Sequence, residues 1–129
     1  MMHIQNIHHV AILTDNYEAS KHFYTEILGF TIISETYRAE RQSYKLDLAI
    51  NGTYQIELFS FPDYMPRASY PEAKGLRHLA FAVTDVDASA LYLKEQGVDV
   101  QEARIDELTG KKFVFFNDPN GQPLELYEV

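Results

Sequence analysis

Two histidines and two glutamates recur in this chain at nearly one interval. His9 precedes Glu57 by 48 positions and His78 precedes Glu125 by 47. The histidines open matching phrases, His9-Val-Ala-Ile-Leu and His78-Leu-Ala-Phe-Ala, and the glutamates sit in Ile56-Glu57-Leu58-Phe59 and Leu124-Glu125-Leu126-Tyr127. Imidazole nitrogen and carboxylate oxygen are donors that zinc, nickel, cobalt, manganese and iron accept. A repeated unit carrying one of each supplies four ligands for one divalent ion when the copies face each other, and zinc or nickel is the first expectation. Taken singly, each residue reads as a wet-headed strand glutamate or a satisfied strand histidine. Taken together they do not, because a carboxylate amid Ile, Leu and Phe is costly to bury unless paired or metal-bound.

The elements that must position these side chains repeat as well. Ser20 follows His9 by 11 positions and Ser89 follows His78 by 11. Apolar runs at Ile7–Leu13 and Leu76–Val83 predict strands. Helices follow, capped by Asp15 or Asn16 in the first copy and by Thr84 with Asp87 in the second. Phe23, Tyr24, Ile27 and Leu28 form one apolar stripe, and Val86, Ala90, Leu93 and Leu91 the other. Gly29 and Gly97 stand at the helix ends. Three strands complete each copy, at Thr31–Arg38, Tyr44–Ile50 and Tyr54–Phe61, then Val98–Arg104, Lys112–Asn117 and Leu124–Glu128, with Asn51-Gly52 and Asn120-Gly121 as hairpin signals. Each copy is βαβββ. The expected class is α+β, two tandem modules forming a curved mixed sheet around a metal-binding cleft. A single domain over 1–129 then divides into a module at 4–61, a linker at 62–75 and a module at 76–129. The linker holds Pro62, Pro66 and Pro71, with Tyr64, Met65 and Tyr70 unusually apolar for a loop.

Alternation along a strand sorts the faces. His9 shares a face with Ala11 and Leu13, and His78 with Ala80 and Ala82; Glu57 and Glu125 lie opposite their aliphatic neighbours. All four candidates therefore point away from the helix-packing side. His8 falls on the opposite face and reads as decoration, His22 lies on the solvated side of its helix, and His3 belongs to a frayed end.

Bulk properties remove several classes. A net charge of −8, from 19 acidic against 11 basic residues, argues against nucleic acid as partner. With no cysteine there is neither disulfide nor thiolate chemistry. No apolar run is long enough for a membrane span, and the first residues do not form a signal peptide, so a cytoplasmic protein is expected.

The duplication, the His9-Val-Ala-Ile phrase ahead of a helix ending Leu28-Gly29-Phe30, the His78-Leu-Ala-Phe-Ala-Val phrase and the run Asp118-Pro119-Asn120-Gly121-Gln122-Pro123-Leu124-Glu125-Leu126 resemble the vicinal oxygen chelate superfamily. That group takes in glyoxalase I, extradiol dioxygenases, fosfomycin-modifying thiol transferases, epimerases and antibiotic-binding proteins. The resemblance covers essentially the whole chain, and a His-Glu-His-Glu set is most similar to glyoxalase I. It implies that His9, Glu57, His78 and Glu125 hold one divalent ion, that Glu125 is the proton-abstracting base with Glu57 its counterpart, and that the protein is a homodimer. It implies a lyase or isomerase acting on a small substrate with vicinal oxygens. The alternatives within the group are a fosfomycin-type thiol transferase and a small-molecule binding protein. Leu13 and Phe61 stand where glutathione-using members carry Arg and Asn, while Lys74 keeps a basic position. Two of three contacts to the thiol peptide are thus missing, which argues against glutathione.

Overall fold

The computed structural model describes residues 1–129 apart from Tyr70, so the expectation for that tyrosine lies outside the described residues. The chain divides into two compact units, Met1–Met65 and Pro66–Val129, a boundary that falls inside the expected linker. There Tyr64 and Met65 are exposed. No described helix is long and apolar enough to cross a membrane.

The first unit runs β1 (Val10–Thr14), α1 (Tyr17–His22), β2 (Thr31–Arg38), β3 (Ser43–Ile50) and β4 (Thr53–Ser60). Its sheet has the order β1-β4-β3-β2, with β1 parallel to β4 and the remaining pairs antiparallel. The second unit runs β5 (Leu79–Val83), α2 (Val86–Glu95), β6 (Arg104–Ile105), β7 (Lys112–Asn117) and β8 (Pro123–Glu128). Its sheet repeats the pattern as β5-β8-β7-β6, again with one parallel pair, β5 with β8. Each βαβββ copy thus makes its own four-stranded mixed sheet.

The cores follow the alternation. Leu46, Leu48, Ile56 and Leu58 are fully or almost fully buried in the first unit, as are Val114, Phe116, Leu124, Val86 and Leu93 in the second. Burying each such side chain stabilises the fold by about 1.5–3 kcal/mol. Asn16 caps α1, its side-chain oxygen accepting the Ala19 N–H at 3.1 Å. The cap of α2 is Asp85, which accepts the Ala88 N–H at 2.9 Å. Thr84 is one position too early, because the capping oxygen must reach an N–H three residues on. Leu91 is exposed and lies off the apolar stripe of α2.

Beyond His22 the first helix widens into a π-helical turn, Phe23–Ile27, where the Leu28 N–H reaches the Phe23 carbonyl at 2.9 Å. The extra residue per turn lets two consecutive aromatics, Phe23 and Tyr24, both enter the core. The run Val98–Arg104 does not form a full strand: β6 has only two residues, joined by one isolated bridge from Val100 to Phe116. Asn51-Gly52 closes a tight hairpin, with φ of 49° and 78°. Asn120-Gly121 instead lies in a longer connection organised by buried Asp118, whose side chain accepts the N–H groups of Asn120 and Gln122 at 2.8 and 3.0 Å.

Candidate metal centre

In the first unit, β1 and β4 place Ala11 beside Glu57 in parallel register. His9 lies two residues before Ala11, just ahead of the strand rather than inside it, and on the same face. Its Nε2 stands 3.1 Å from Glu57 Oε2. Two donors bound to one zinc-sized ion at about 2.0–2.2 Å stand roughly 3 Å apart, so this nitrogen–oxygen pair fits two adjacent positions on a divalent ion.

A polar cage surrounds the pair. Tyr54 donates its hydroxyl hydrogen to Glu57, and the same oxygen is 3.0 Å from Asp47 Oδ1. The Tyr54 ring stacks on His9 at 5.5 Å and 24°. Lys45 Nζ lies 3.6 Å from Asp47 and 3.9 Å from Glu57. Asp47 and Glu57 face each other directly across β3 and β4, a like-charge pairing that the ammonium and the phenol offset. Burial first, then the bonds to Glu57 and Asp47, push the Tyr54 phenol well above its ordinary value.

Tyr54 reaches this face through a bulge. The β3–β4 register skips from Leu48–Ile56 to Ala49–Tyr54, leaving Gln55 unpaired. Strict alternation would turn Tyr54 to the same side as Ile56; the extra residue re-aims it toward Glu57. His8 also differs from expectation. Its Nδ1 meets His9 Nδ1 at 2.8 Å and its ring packs edge-on against Tyr54 at 5.3 Å. Adjacent residues face opposite sides only inside a regular strand, and β1 begins after both histidines.

The second unit repeats the register: β5 and β8 place Ala80 beside Glu125, with His78 two residues before Ala80. The surroundings are different. Arg77 Nη1 lies 3.0 Å from His78 Nδ1, and the guanidinium is the donor of that contact. The His78 ring meets Phe115 edge-on at 5.0 Å. Glu125 pairs across β7 with Phe115 and makes no side-chain hydrogen bond or ion pair among the described residues. It lines an open cavity of about 560 Å³ with Arg104, Asp106, Leu108, Phe113 and Tyr127. The Arg104 guanidinium lies over Phe113 at 5.1 Å and Phe115 at 5.6 Å. Asp106 is held below the usual carboxylate range, first by the Leu108 N–H and then by the Tyr127 hydroxyl.

The structure therefore brings His9 to Glu57, and sets His78 just ahead of β5, the strand that pairs with the β8 of Glu125. Among the described residues, no group of three or more His, Asp or Glu stands ready to hold a metal ion. Leu13 is exposed, and Phe61 stacks on Phe59 at 5.8 Å; neither side chain carries a hydrogen-bond donor.

The sequence profile of the Glyoxalase/Bleomycin resistance protein/Dioxygenase superfamily matches residues 6–126. The uncharacterized protein YwkD of Bacillus subtilis is 57% identical over 98% of this chain and 99% of its own length. YaeR of Escherichia coli is 55% identical over 99% of each. A crystal structure of a glyoxalase family protein from Enterococcus faecalis superimposes with a TM-score of 0.90 at 48% identity, covering 98% of this chain and 100% of that one. More distant likeness reaches two enzymes. The metallothiol transferase FosB of Staphylococcus haemolyticus is 32% identical over 96% of this chain and 84% of its own length. A 2-epi-5-epi-valiolone epimerase of Actinomyces is 30% identical over 95% and 79%.

Proposed function

Because the chain belongs to the Glyoxalase/Bleomycin resistance protein/Dioxygenase superfamily, we propose that it is a metal-dependent lyase or isomerase of the glyoxalase I type, acting on a small substrate with vicinal oxygens. The observation that carries this reading is the repeated register: a histidine two residues before the alanine that sits beside a glutamate, on a parallel strand pair, in both units. His9, Glu57, His78 and Glu125 would hold one divalent ion, with zinc or nickel first and cobalt, manganese or iron behind them. When bound, the ion supplies Lewis-acid stabilisation of the negative charge that develops on the substrate's adjacent oxygens.

The protein's own groups do the rest. Glu125 opens on the cavity without a side-chain partner among the described residues. Its carboxylate takes the carbon-bound proton beside the carbonyl and returns it to the neighbouring carbon. Glu57 is its counterpart in the first unit. Phe113 and Phe115 flank Glu125 with apolar surface that lowers water access. Leu13 and Phe61 offer the glutathione carboxylates no side-chain donor and leave Lys74 as the retained basic position, which argues against glutathione as the thiol partner. The protein works as a cytoplasmic homodimer.

A second reading, thiol transfer to an electrophile, has one observation in its favour. Arg104, its guanidinium over Phe113 and Phe115, lines the Glu125 cavity and makes no ion pair among the described residues, as a receptor for an anionic substrate group should. Metal analysis of the purified protein, with a screen of methylglyoxal–thiol adducts, tests the first reading. One tightly held divalent ion and turnover of an adduct are expected. A tightly held ion with no turnover of any adduct removes the glyoxalase assignment. Glu57→Gln should weaken metal retention; unchanged metal content would show the ligand set to be wrong.

A further inference from the structure

We infer that Arg67 is a positioning residue: its guanidinium supplies a backbone hydrogen bond that Pro123 cannot, and so fixes the peptide that leads into His78. This rests on the metal reading above and names what holds one of its ligands in place. The need for such a brace follows from the strand register. At the far end of β5 and β8 the Val129 N–H donates to the Val83 carbonyl at 2.9 Å. The two strands keep one register from Leu79–Leu124 to Val83–Glu128, and along a parallel pair such bonds recur at every second residue. Six residues back along each chain, the donor due to the Arg77 carbonyl is residue 123. That residue is proline, which has no N–H. Pairing therefore stops at Leu79, and His78 stands outside the strand. At the matching position the first unit has Gln55, which keeps its N–H.

Arg67, in the proline-bearing segment before β5, answers that carbonyl. Its Nη2 donates to the Arg77 carbonyl at 2.8 Å and to the Leu76 carbonyl at 2.9 Å. Its Nη1 donates to Gln122 Oε1 at 3.0 Å. Gln122 directly precedes Pro123, and buried Asp118 accepts its N–H at 3.0 Å. One planar fork thus joins the approach to β5 with the approach to β8, at the level where the ladder breaks.

Arg67 makes no ion pair among the described residues; its charge goes to neutral acceptors, and charge-assisted bonds of this kind are stronger than neutral ones. A second contact from the same segment is weaker. Glu72 and Arg77 stand 3.6 Å apart with both side chains more than half exposed, where an ion pair contributes little. The fork of Arg67 is therefore what fixes the peptide ahead of His78. A ligand whose backbone is already fixed has less ordering to undergo when an ion binds.

Two measurements on the full-length protein test this without any substrate: amide hydrogen exchange of the metal-free chain, and cobalt(II) titration followed by visible absorption. In Arg67→Gln, exchange at His78, Leu79 and Ala80 should quicken while the melting temperature holds. Cobalt binding should weaken about 10-fold, as loss of a ligand's supporting bond does, and the bands of the bound ion should shift. Charge alone predicts the opposite sign, because removing a cation from a chain of net charge −8 favours a bound dication. Arg67→Lys, which keeps the charge and gives up the fork, should fall between, and it carries the test if Arg67→Gln does not fold. Pro123→Ala restores the missing N–H, so in that background Arg67→Gln should cost far less. Unchanged exchange in Arg67→Gln, or an equal loss with and without Pro123→Ala, would overturn the brace. Cobalt binding indifferent to His78→Ala would overturn the ligand set instead, and the exchange measurement would still decide the brace.

Discussion

At the scale of single residues, neighbours decide what a titratable group does. Glu35 on β2 shows it away from the candidate site. Lys21 Nζ donates to it at 2.8 Å and the Tyr17 hydroxyl at 2.5 Å, while the Tyr17 ring stacks on Tyr44 at 4.5 Å. Lys21 first, and Tyr17 second, hold the Glu35 carboxyl below its ordinary 4.5. Burial and the Glu35 carboxylate push Tyr17 up, and Glu35 pushes Lys21 up. A carboxyl held low in the folded state stabilises the fold above 4.5, and that gain drains away as pH falls through the lowered folded value. A raised lysine contributes below 10.5, and its share is lost as pH rises beyond that. All three groups keep contact with solvent, so the network contributes about 1 kcal/mol or less. Glu35→Gln should therefore lower the melting temperature slightly at neutral pH, and the gap to wild type should close in acid. A gap that stays constant from neutral pH to pH 3 would mean that the ion pair is not its source.

At the scale of elements, the β3–β4 hairpin carries the first half of the candidate site. Asn51 and Gly52 both hold positive φ, as a two-residue turn between twisted strands requires. A Cβ on Gly52 would meet nothing within 4 Å, so Gly52→Ala should cost only the backbone strain, about 1–2 kcal/mol. Thermal unfolding should show it as a fall of several degrees with an unchanged circular dichroism spectrum; an unaltered midpoint would show that the turn tolerates a side chain. This hairpin also marks how far the sequence was legible. Period-two alternation assigned Glu57 and Glu125 to the faces away from the aliphatic core, because burial enforces register wherever one side is packed, whereas His9 and His78 precede β1 and β5 and lie outside the reach of that rule. The bulge at Gln55 leaves no mark in that pattern, so Tyr54, Asp47 and Lys45 were not legible as neighbours of Glu57. His8 was misplaced because the rule was extended past the strand's first residue. The run Val98–Arg104 has alternating apolar residues yet pairs only at Val100 and Arg104; β-propensity reports fit to a pleated surface and not the presence of a partner.

At the scale of the whole molecule, the proposal becomes a statement about stoichiometry and stability. The duplication gives two His/Glu pairs, and the count of ions per chain distinguishes one shared site from two independent ones. A single ion held by all four donors depends on both glutamates, so Glu57→Gln and Glu125→Gln should each weaken binding of the same ion. Two independent pairs would give two ions per chain, each lost separately. Unfolded chains present no preformed site, so an ion that binds only the folded state adds stability as the logarithm of its concentration over Kd. At a hundredfold excess over Kd this amounts to about 2.7 kcal/mol. Zinc or nickel should therefore raise the melting temperature by several degrees, a chelator should reverse the gain, and the midpoint should climb with metal concentration. His9→Ala and His78→Ala should each flatten that dependence. A concentration dependence that survives both substitutions would place the stabilising ion elsewhere on an acidic surface of net charge −8, where carboxylates attract divalent cations without assembling a catalytic centre.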